Sequence, residues 1–405
     1  MTFAGLTGTI SAACARGERG VGGRSACLAS LLELGYAGRG RPSVWASPRH
    51  DVLRNRIVDS KRDKASDVNP ALLHKKMLQL LSSLWVTRAV GTFARLGLAD
   101  VMEDGVEEHA AIAAARGLIP DRVYRLLRAL STLGIVAEST RGRFVLTPLG
   151  RLLSSHSPNN TRTTAIFLND YFADMWTHLD DALADERTAF EALKGAPFFD
   201  WLAQHPDEAR RFNRMMFEVH GPETPAIVAA YDFSRFDHVV DVGGGNGSLL
   251  SAVLAAYPKL RATLFDMAEA IAAAKRGEGG PLPGVSFVTG DVFTTPAPEG
   301  GDVYLIRHLM HDYDDRDCLR ILANVRRAMR PQARVLVLEA PLPSDDTPGP
   351  GRWLDLQVML LCGGRERTVE DYAGLFEKAG LRLARTIPTA HPAMTVVEAV
   401  ASPRA

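Results

Sequence analysis

This chain has no excess charge of either sign: 47 basic and 47 acidic side chains balance over 405 residues, so no net field draws it to nucleic acid or to an anionic lipid surface. It also has no run of 18 apolar residues, which excludes a membrane-spanning helix. Cysteine is sparse. Cys14, Cys27, Cys318 and Cys362 lie far apart without metal-ligand spacing, and with no secretory segment this usage suits a reduced, cytoplasmic compartment. The partners expected on this basis are small molecules, with no nucleic acid, no membrane and no metal.

The hydrophobic fraction of 46% can fill more than one core, and the length exceeds what a single core usually organises. Three regions are expected. Residues 1–67 are rich in small residues, glycine and scattered arginine, and read as a disordered extension; a transit peptide is the sharper alternative, weakened by Glu18, Glu33, Asp51 and Asp59. Residues 68–231 form a helical domain, and residues 232–405 a domain in which strands alternate with helices.

In the helical domain, Leu72, Leu73, Met77, Leu80, Leu81, Leu84 and Trp85 recur at three- and four-residue intervals and predict a helix that buries this face. Two short helices around Gly117 and Pro120 then lead into a hairpin from Gly134 to Thr147, a winged-helix pattern. Arg122, Arg125 and Arg128 on its second helix suggest DNA reading, but Leu126, Leu127 and Leu130 supply a core face and leave the arginines as a solvated flank. Further on, Phe198, Phe199, Trp201, Phe212, Met215, Met216 and Phe217 read either as plain core or as the roof of a pocket.

From Val239 the apolar runs predict a doubly wound sheet of about seven strands, the Rossmann-like α/β class. Ligands of such sheets sit beyond the carboxyl ends of the strands. Four segments there are candidates: the glycine turn Asp241-Val-Gly243-Gly-Gly245-Asn-Gly247, Asp266, Asp291-Val-Phe293, and Arg307 to Asp315. Glycines let the backbone approach a ligand, and an acid closing the next strand can accept the hydroxyl hydrogens of a ribose. A dinucleotide pyrophosphate site needs a third glycine where this chain has Ser248. S-adenosylmethionine carries no phosphate, so it tolerates that departure, and Asp291 with Phe293 can flank an adenine.

The segment Arg307-His-Leu-Met-His311-Asp-Tyr-Asp-Asp315, the stretch Leu338-Glu339-Ala-Pro-Leu-Pro343 and Gly363-Gly-Arg-Glu366-Arg-Thr368 resemble, in order, the signatures of the S-adenosylmethionine-dependent small-molecule O-methyltransferases, the group that includes caffeic acid and hydroxyindole O-methyltransferases. The resemblance runs from about Pro70 to the C terminus. It implies a homodimer built by the winged-helix domain, S-adenosyl-L-methionine as cofactor, His311 as general base, and Glu339 and Glu366 as the carboxylates flanking it. The strand-end positions offer Asp241, Gly243, Gly245, Asp266, Asp291 and Phe293 as cofactor contacts, to which the resemblance adds Arg307, and Phe212, Met216 and Met359 are the candidates against an aromatic or polyketide-like acceptor. Tyr313 stands where the family has tryptophan. His308 reads as structural, since no third metal ligand follows at a credible spacing. N- or C-methylation within the family, a nicotinamide-dependent oxidoreductase and a ligand-sensing DNA-binding regulator are the alternatives.

Overall fold

Strand β3 (His238–Val242) is buried along almost its whole length, Asp241 included, and a strand of that kind belongs inside a sheet covered on both faces. In the computed structural model, which describes residues 69–403 apart from 346, it is the middle of such a sheet. Strands β4 (Arg261–Asp266), β5 (Ser286–Thr289), β6 (Val303–Arg307), β7 (Arg334–Glu339), β8 (Leu381–Pro388) and β9 (Thr395–Ala401) complete it in the order β5-β4-β3-β6-β7-β9-β8. The first five strands run parallel, and β9 lies antiparallel between β7 and β8. The chain builds outward from β3 to β5 and then returns to the other side of β3 with β6. The crevice at that reversal, between the carboxyl ends of β3 and β6, is where this topology leaves room for a ligand.

Two apolar layers hold the sheet. On one face Val240, Val242, Ile306, Val335 and Val337 pack against Ile321, Leu322 and Val325 of helix Asp315–Ala328 and Leu375 and Phe376 of helix Val369–Lys378. On the other, Val239, Leu264, Leu305 and Leu336 meet Leu249, Leu250 and Val253 of helix Ser248–Ala256, with Ile227 and Ile271. Residue alternation along each strand sends neighbours to opposite layers.

The helical domain has its own core of Phe93, Leu98, Ile112, Val123, Leu127, Leu130 and Phe144. Its helix Pro120–Ser131 opens on proline with Asp121 in the first turn and carries Arg128 in the last, as the macrodipole favours. Val123, Leu127 and Leu130 are buried while Arg122, Arg125 and Arg128 stay exposed. The wing is the antiparallel pair β1 (Val136–Thr140) and β2 (Arg143–Leu146). The predicted apolar stripe does form a helix, Pro70–Leu81, continued by Ser83–Arg95, but it is not buried in the chain. Leu72, Leu80, Leu81 and Trp85 are 60%, 60%, 69% and 75% exposed. Among the described residues, no element lies over that face.

A fourth apolar cluster joins the domains. Phe167, Phe172, Phe190, Phe198 and Met215 from the helical domain pack against Leu360 and Leu361 of helix Gly351–Cys362. These residues fall in a compact unit spanning Pro70–Ala405. Residues 1–67, expected as a disordered extension, lie outside the described residues. Among those described, no helix is long and apolar enough to cross a membrane.

Candidate active site

The glycine turn is shaped by Asp266. Its Oδ2 accepts the amide of Gly245 at 2.7 Å and its Oδ1 that of Met267 at 2.6 Å, so the acid closing β4 holds the turn leaving β3. Gly245 has φ +60° with open space where a side chain would be, a backbone surface presented to the crevice. Gly243, at φ +68°, leaves room for Leu309. Asp241 is 1% exposed beneath the turn, and neither carboxylate oxygen has a partner. Burial pushes its pKa from 3.8 to about 7, against the pull of Arg307 and with the repulsion of Asp266. Across the crevice, Asp291 Oδ1 accepts the amide of Phe293 at 2.8 Å, fixing the loop after β5. Phe293 stands edge-on to Tyr313, ring centroids 4.9 Å apart.

His311 occupies a single turn, Met310–Asp312, just after β6. The turn's own hydrogen bonds are long, at 3.3 Å from Asp312 N to Leu309 O and from Tyr313 N to Met310 O. Its shape is imposed from outside. Glu339, fully buried at the end of β7, accepts the amides of Met310 and His311 at 2.8 and 3.2 Å on Oε1, and the hydroxyl of Tyr372 on Oε2. From the segment after helix Gly351–Cys362, the Arg365 amide donates to His311 O at 2.8 Å, and Glu366 Oε1 receives His311 Nδ1 at 2.8 Å. Arg367, 0% exposed, donates to Met310 O and Tyr313 O, both at 2.8 Å, and pairs twice with Asp315. Gly364 must lack a side chain, since a Cβ there would stand 2.0 Å from His311 O.

The two carboxylates expected to flank His311 therefore act differently. Glu366 holds the ring, whereas Glu339 holds the backbone. A third carboxylate, unanticipated, is Asp312, whose Oδ1 lies 3.6 Å from His311 Nε2. Burial alone drives an imidazole toward neutrality, but here Asp312, Glu366 and Glu339 outweigh it and lift His311 to about 10. That upward shift favours the imidazolium over the neutral ring that an ordinary histidine pKa suggests. Burial raises Asp312 to about 6 against the attraction of His311, and raises Glu339 against His311 and Tyr372.

Of the acceptor residues expected, Phe212, Met216 and Met359 all pack against the cluster that joins the domains, with Cys362 beside them. Cys362 Sγ is 3.7 Å from Asp312 Oδ1, which ties this apolar wall to the histidine turn. Phe199 stacks near Tyr313 at 6.3 Å between centroids, so Tyr313 keeps an aromatic plane at that border.

Arg307 and His308 converge on Glu223. Arg307 donates to Glu223 Oε2 at 2.9 Å, to Thr224 Oγ1 at 3.0 Å and to the carbonyl of His220, so its Nη atoms are committed within the protein. His308, at φ +45°, donates to the same Glu223 Oε2 at 2.8 Å, and His220 Nδ1 lies 3.2 Å from Oε1. His220, Glu223 and His308 bring three ligating atoms within 4.8 Å. The sequence expectation that His308 finds no such company is corrected; two residues more than 80 positions away supply it. Burial and His220 together lower His308 to about 3, and Arg307 already neutralises Glu223.

Sequence reasoning missed Asp312, Arg367, Tyr372 and Glu223. Arg367 carried no local signal: it lies in a polar, charged segment, where an arginine is ordinarily exposed. Helix Asp315–Ala328 is capped by Asp314, and Thr368 with Asp371 forms a capping box at the start of Val369–Lys378.

Residues 176–382 match the model of the O-methyltransferase domain, and residues 78–156 that of the O-methyltransferase dimerisation domain. The chain is 38% identical over 325 residues to a phenazine O-methyltransferase of Lysobacter antibioticus, covering 80% of this chain and 95% of the relative. It is 33% identical over 318 residues to a phenazine-1-carboxylate N-methyltransferase of Pseudomonas aeruginosa, covering 77% and 93%. Human N-acetylserotonin methyltransferase in complex with S-adenosylmethionine shares the fold with a TM-score of 0.76 at 25% identity, covering 84% of this chain and 99% of that one.

Proposed function

This chain belongs to the S-adenosylmethionine-dependent O-methyltransferase family, and from that premise we propose that it methylates a hydroxyl of an aromatic or polyketide-like molecule with His311 as the proton acceptor. The observation that carries the reading is the His311 turn: one buried imidazole gripped by Glu366 through its ring and by Glu339 through its backbone, at the carboxyl end of β6.

The residues present fit the cofactor. Asp241 is a buried carboxylate with no partner, placed to meet an ammonium group; Asp266 faces the turn where a ribose diol would be read; Phe293 and Met267 offer apolar faces for an adenine. When bound, S-adenosylmethionine supplies an electrophilic methyl carbon on a sulfonium. Everything else falls to the protein. A phenol with a pKa near 10 is a poor nucleophile at neutral pH until its proton is removed. His311, lifted to about 10, matches that acidity, so once the ring is deprotonated its Nε2 can take the hydroxyl proton at little cost. Glu366 then stabilises the imidazolium at Nδ1. The apolar side chains of Phe212, Met216 and Met359 hold the acceptor's ring system and exclude water.

The division into a helical dimerisation and lid domain (residues 68–231) and a cofactor domain (232–405) supports a homodimer, in which the exposed stripe on Pro70–Leu81 and Ser83–Arg95 is the face a second copy covers. Incubation with methyl-labelled S-adenosylmethionine and a panel of phenolic, quinone and aromatic amine acceptors, read by mass, tests the reading. Labelled methyl on oxygen supports it; transfer only to amine nitrogen makes the enzyme an N-methyltransferase. Turnover unchanged in His311→Ala would remove the histidine from its role.

A further inference from the structure

We propose that Arg367 is a positioning residue for the reaction, acting through His311. The inference rests on the reading of His311 as proton acceptor. It is carried by the way the histidine turn is held. Two internal bonds of 3.3 Å cannot fix a ring to within the fraction of an ångström that proton transfer needs; the Arg365 amide holds only the middle carbonyl, and at the two end carbonyls the Cys318 thiol, 3.2 Å from Met310 O and 3.7 Å from Tyr313 O, is a weak donor. Arg367 is the charged donor there. Its Nη1 and Nη2 donate to the carbonyls of Met310 and Tyr313, which bracket His311 and Asp312, while Nε and Nη2 converge on Asp315 Oδ1 at 3.0 and 2.8 Å.

The planar guanidinium thus locks the turn to the first residue of helix Asp315–Ala328, whose buried face is set in the sheet's core. Only arginine supplies donors in that fork, and a lysine can reach one acceptor at a time with good geometry. The same short segment carries Glu366, so ring and backbone are aligned by adjacent residues and move together. A fully buried arginine is costly unless its donors are met, and here each of its three nitrogens has a partner. Were stability its only use, apolar packing of similar volume would serve; the directional grip on both sides of His311 is what apolar packing cannot provide.

The test compares Arg367→Lys with wild type in the full chain. Turnover is expected to fall roughly tenfold to a hundredfold, as misplacement of a catalytic group by about an ångström does, while the dissociation constant of S-adenosylhomocysteine changes less than about twofold. The pH at which turnover rises is expected to move down, because a loosened turn separates the ring from Asp312 and Glu366. In a His311→Ala background the same change should have no further effect on residual turnover, since residues acting as one unit are not additive. Asp315→Asn, at a half-exposed residue the fold tolerates more readily, is expected to shift the pH profile in the same direction and serves if Arg367→Lys fails to fold.

A purely structural role would lower the melting temperature yet leave turnover per folded enzyme and the pH profile unchanged, and that outcome overturns the proposal. So does an equal loss in the His311→Ala background. If His311→Ala itself retains full turnover, the base assignment fails instead; if it loses turnover while Arg367→Lys and Asp315→Asn behave as wild type, only the positioning role fails.

Discussion

Asp241→Asn is expected to stabilise the ligand-free protein above pH 7 and to cripple cofactor binding, and the two effects have one cause. The carboxyl of Asp241 is buried, unpartnered and lifted from 3.8 to about 7, chiefly by burial. A group whose folded pKa is raised keeps its proton in the fold and loses it on unfolding, so its contribution is fully present below the unfolded value near 3.9 and is lost as pH climbs through 7. At a little over 1 kcal/mol per unit, wild type gives up about 1 to 2 kcal/mol by pH 5 and about 4 kcal/mol by pH 8, both upper bounds because local relaxation softens burial. Asparagine is neutral throughout. The gain of the variant over wild type should therefore be larger at pH 8 than at pH 5 by up to about 2 to 3 kcal/mol, a rise of several degrees in melting temperature for a domain of this size. Thermal unfolding of both proteins at the two pH values measures it, and the remaining titrating groups cancel in the comparison. At pH 8 the same variant should bind S-adenosylhomocysteine more weakly by on the order of 1.5 to 3 kcal/mol, having lost a charge-assisted partner for the ammonium. A gain that is equal at both pH values would mean Asp241 is already ionised in the fold, and the reasoning from its isolation would be wrong.

Three further outcomes are expected. Because His311 is raised and must lose its proton before it can accept another, kcat/KM for a phenolic acceptor should climb with a slope of about one per pH unit from pH 6 to about 9; a profile already flat above 6.5 would show an uncharged resting ring. Asp266→Ala removes the acceptor of both the Gly245 and Met267 amides, so calorimetry should find S-adenosylhomocysteine affinity reduced by about 1.5 kcal/mol or more, and an unaltered dissociation constant would end the ribose assignment. Leu80→Glu and Trp85→Glu place charge on the exposed stripe and are expected to give a folded monomer by light scattering, with a dimer that survives both changes placing the interface elsewhere.

Local pattern alone made several features legible. The seven strands follow from apolar runs bounded by glycine and acids, the caps at Asp314 and Thr368 from residue type at a chain position, and the crevice from the order of strands. The candidate cofactor residues could be nominated because they sit just past strand ends, and a strand end is visible in one dimension. What eluded the sequence is whatever depends on two distant segments meeting.

The amino-acid order thus determined the class of fold, the family and the place of His311, since each is written in short contiguous patterns whose geometry is local. Only the tertiary structure decided the carboxylates that raise that histidine's pKa, the separate duties of Glu366 and Glu339, the burial of Arg367 against the turn, and the meeting of Glu223 with Arg307 and His308. The reason is physical. A pKa and a buried ion pair are set by desolvation and by charges a few ångströms away, and residues 28, 55 and 85 positions apart become neighbours only when the sheet and its helices have packed.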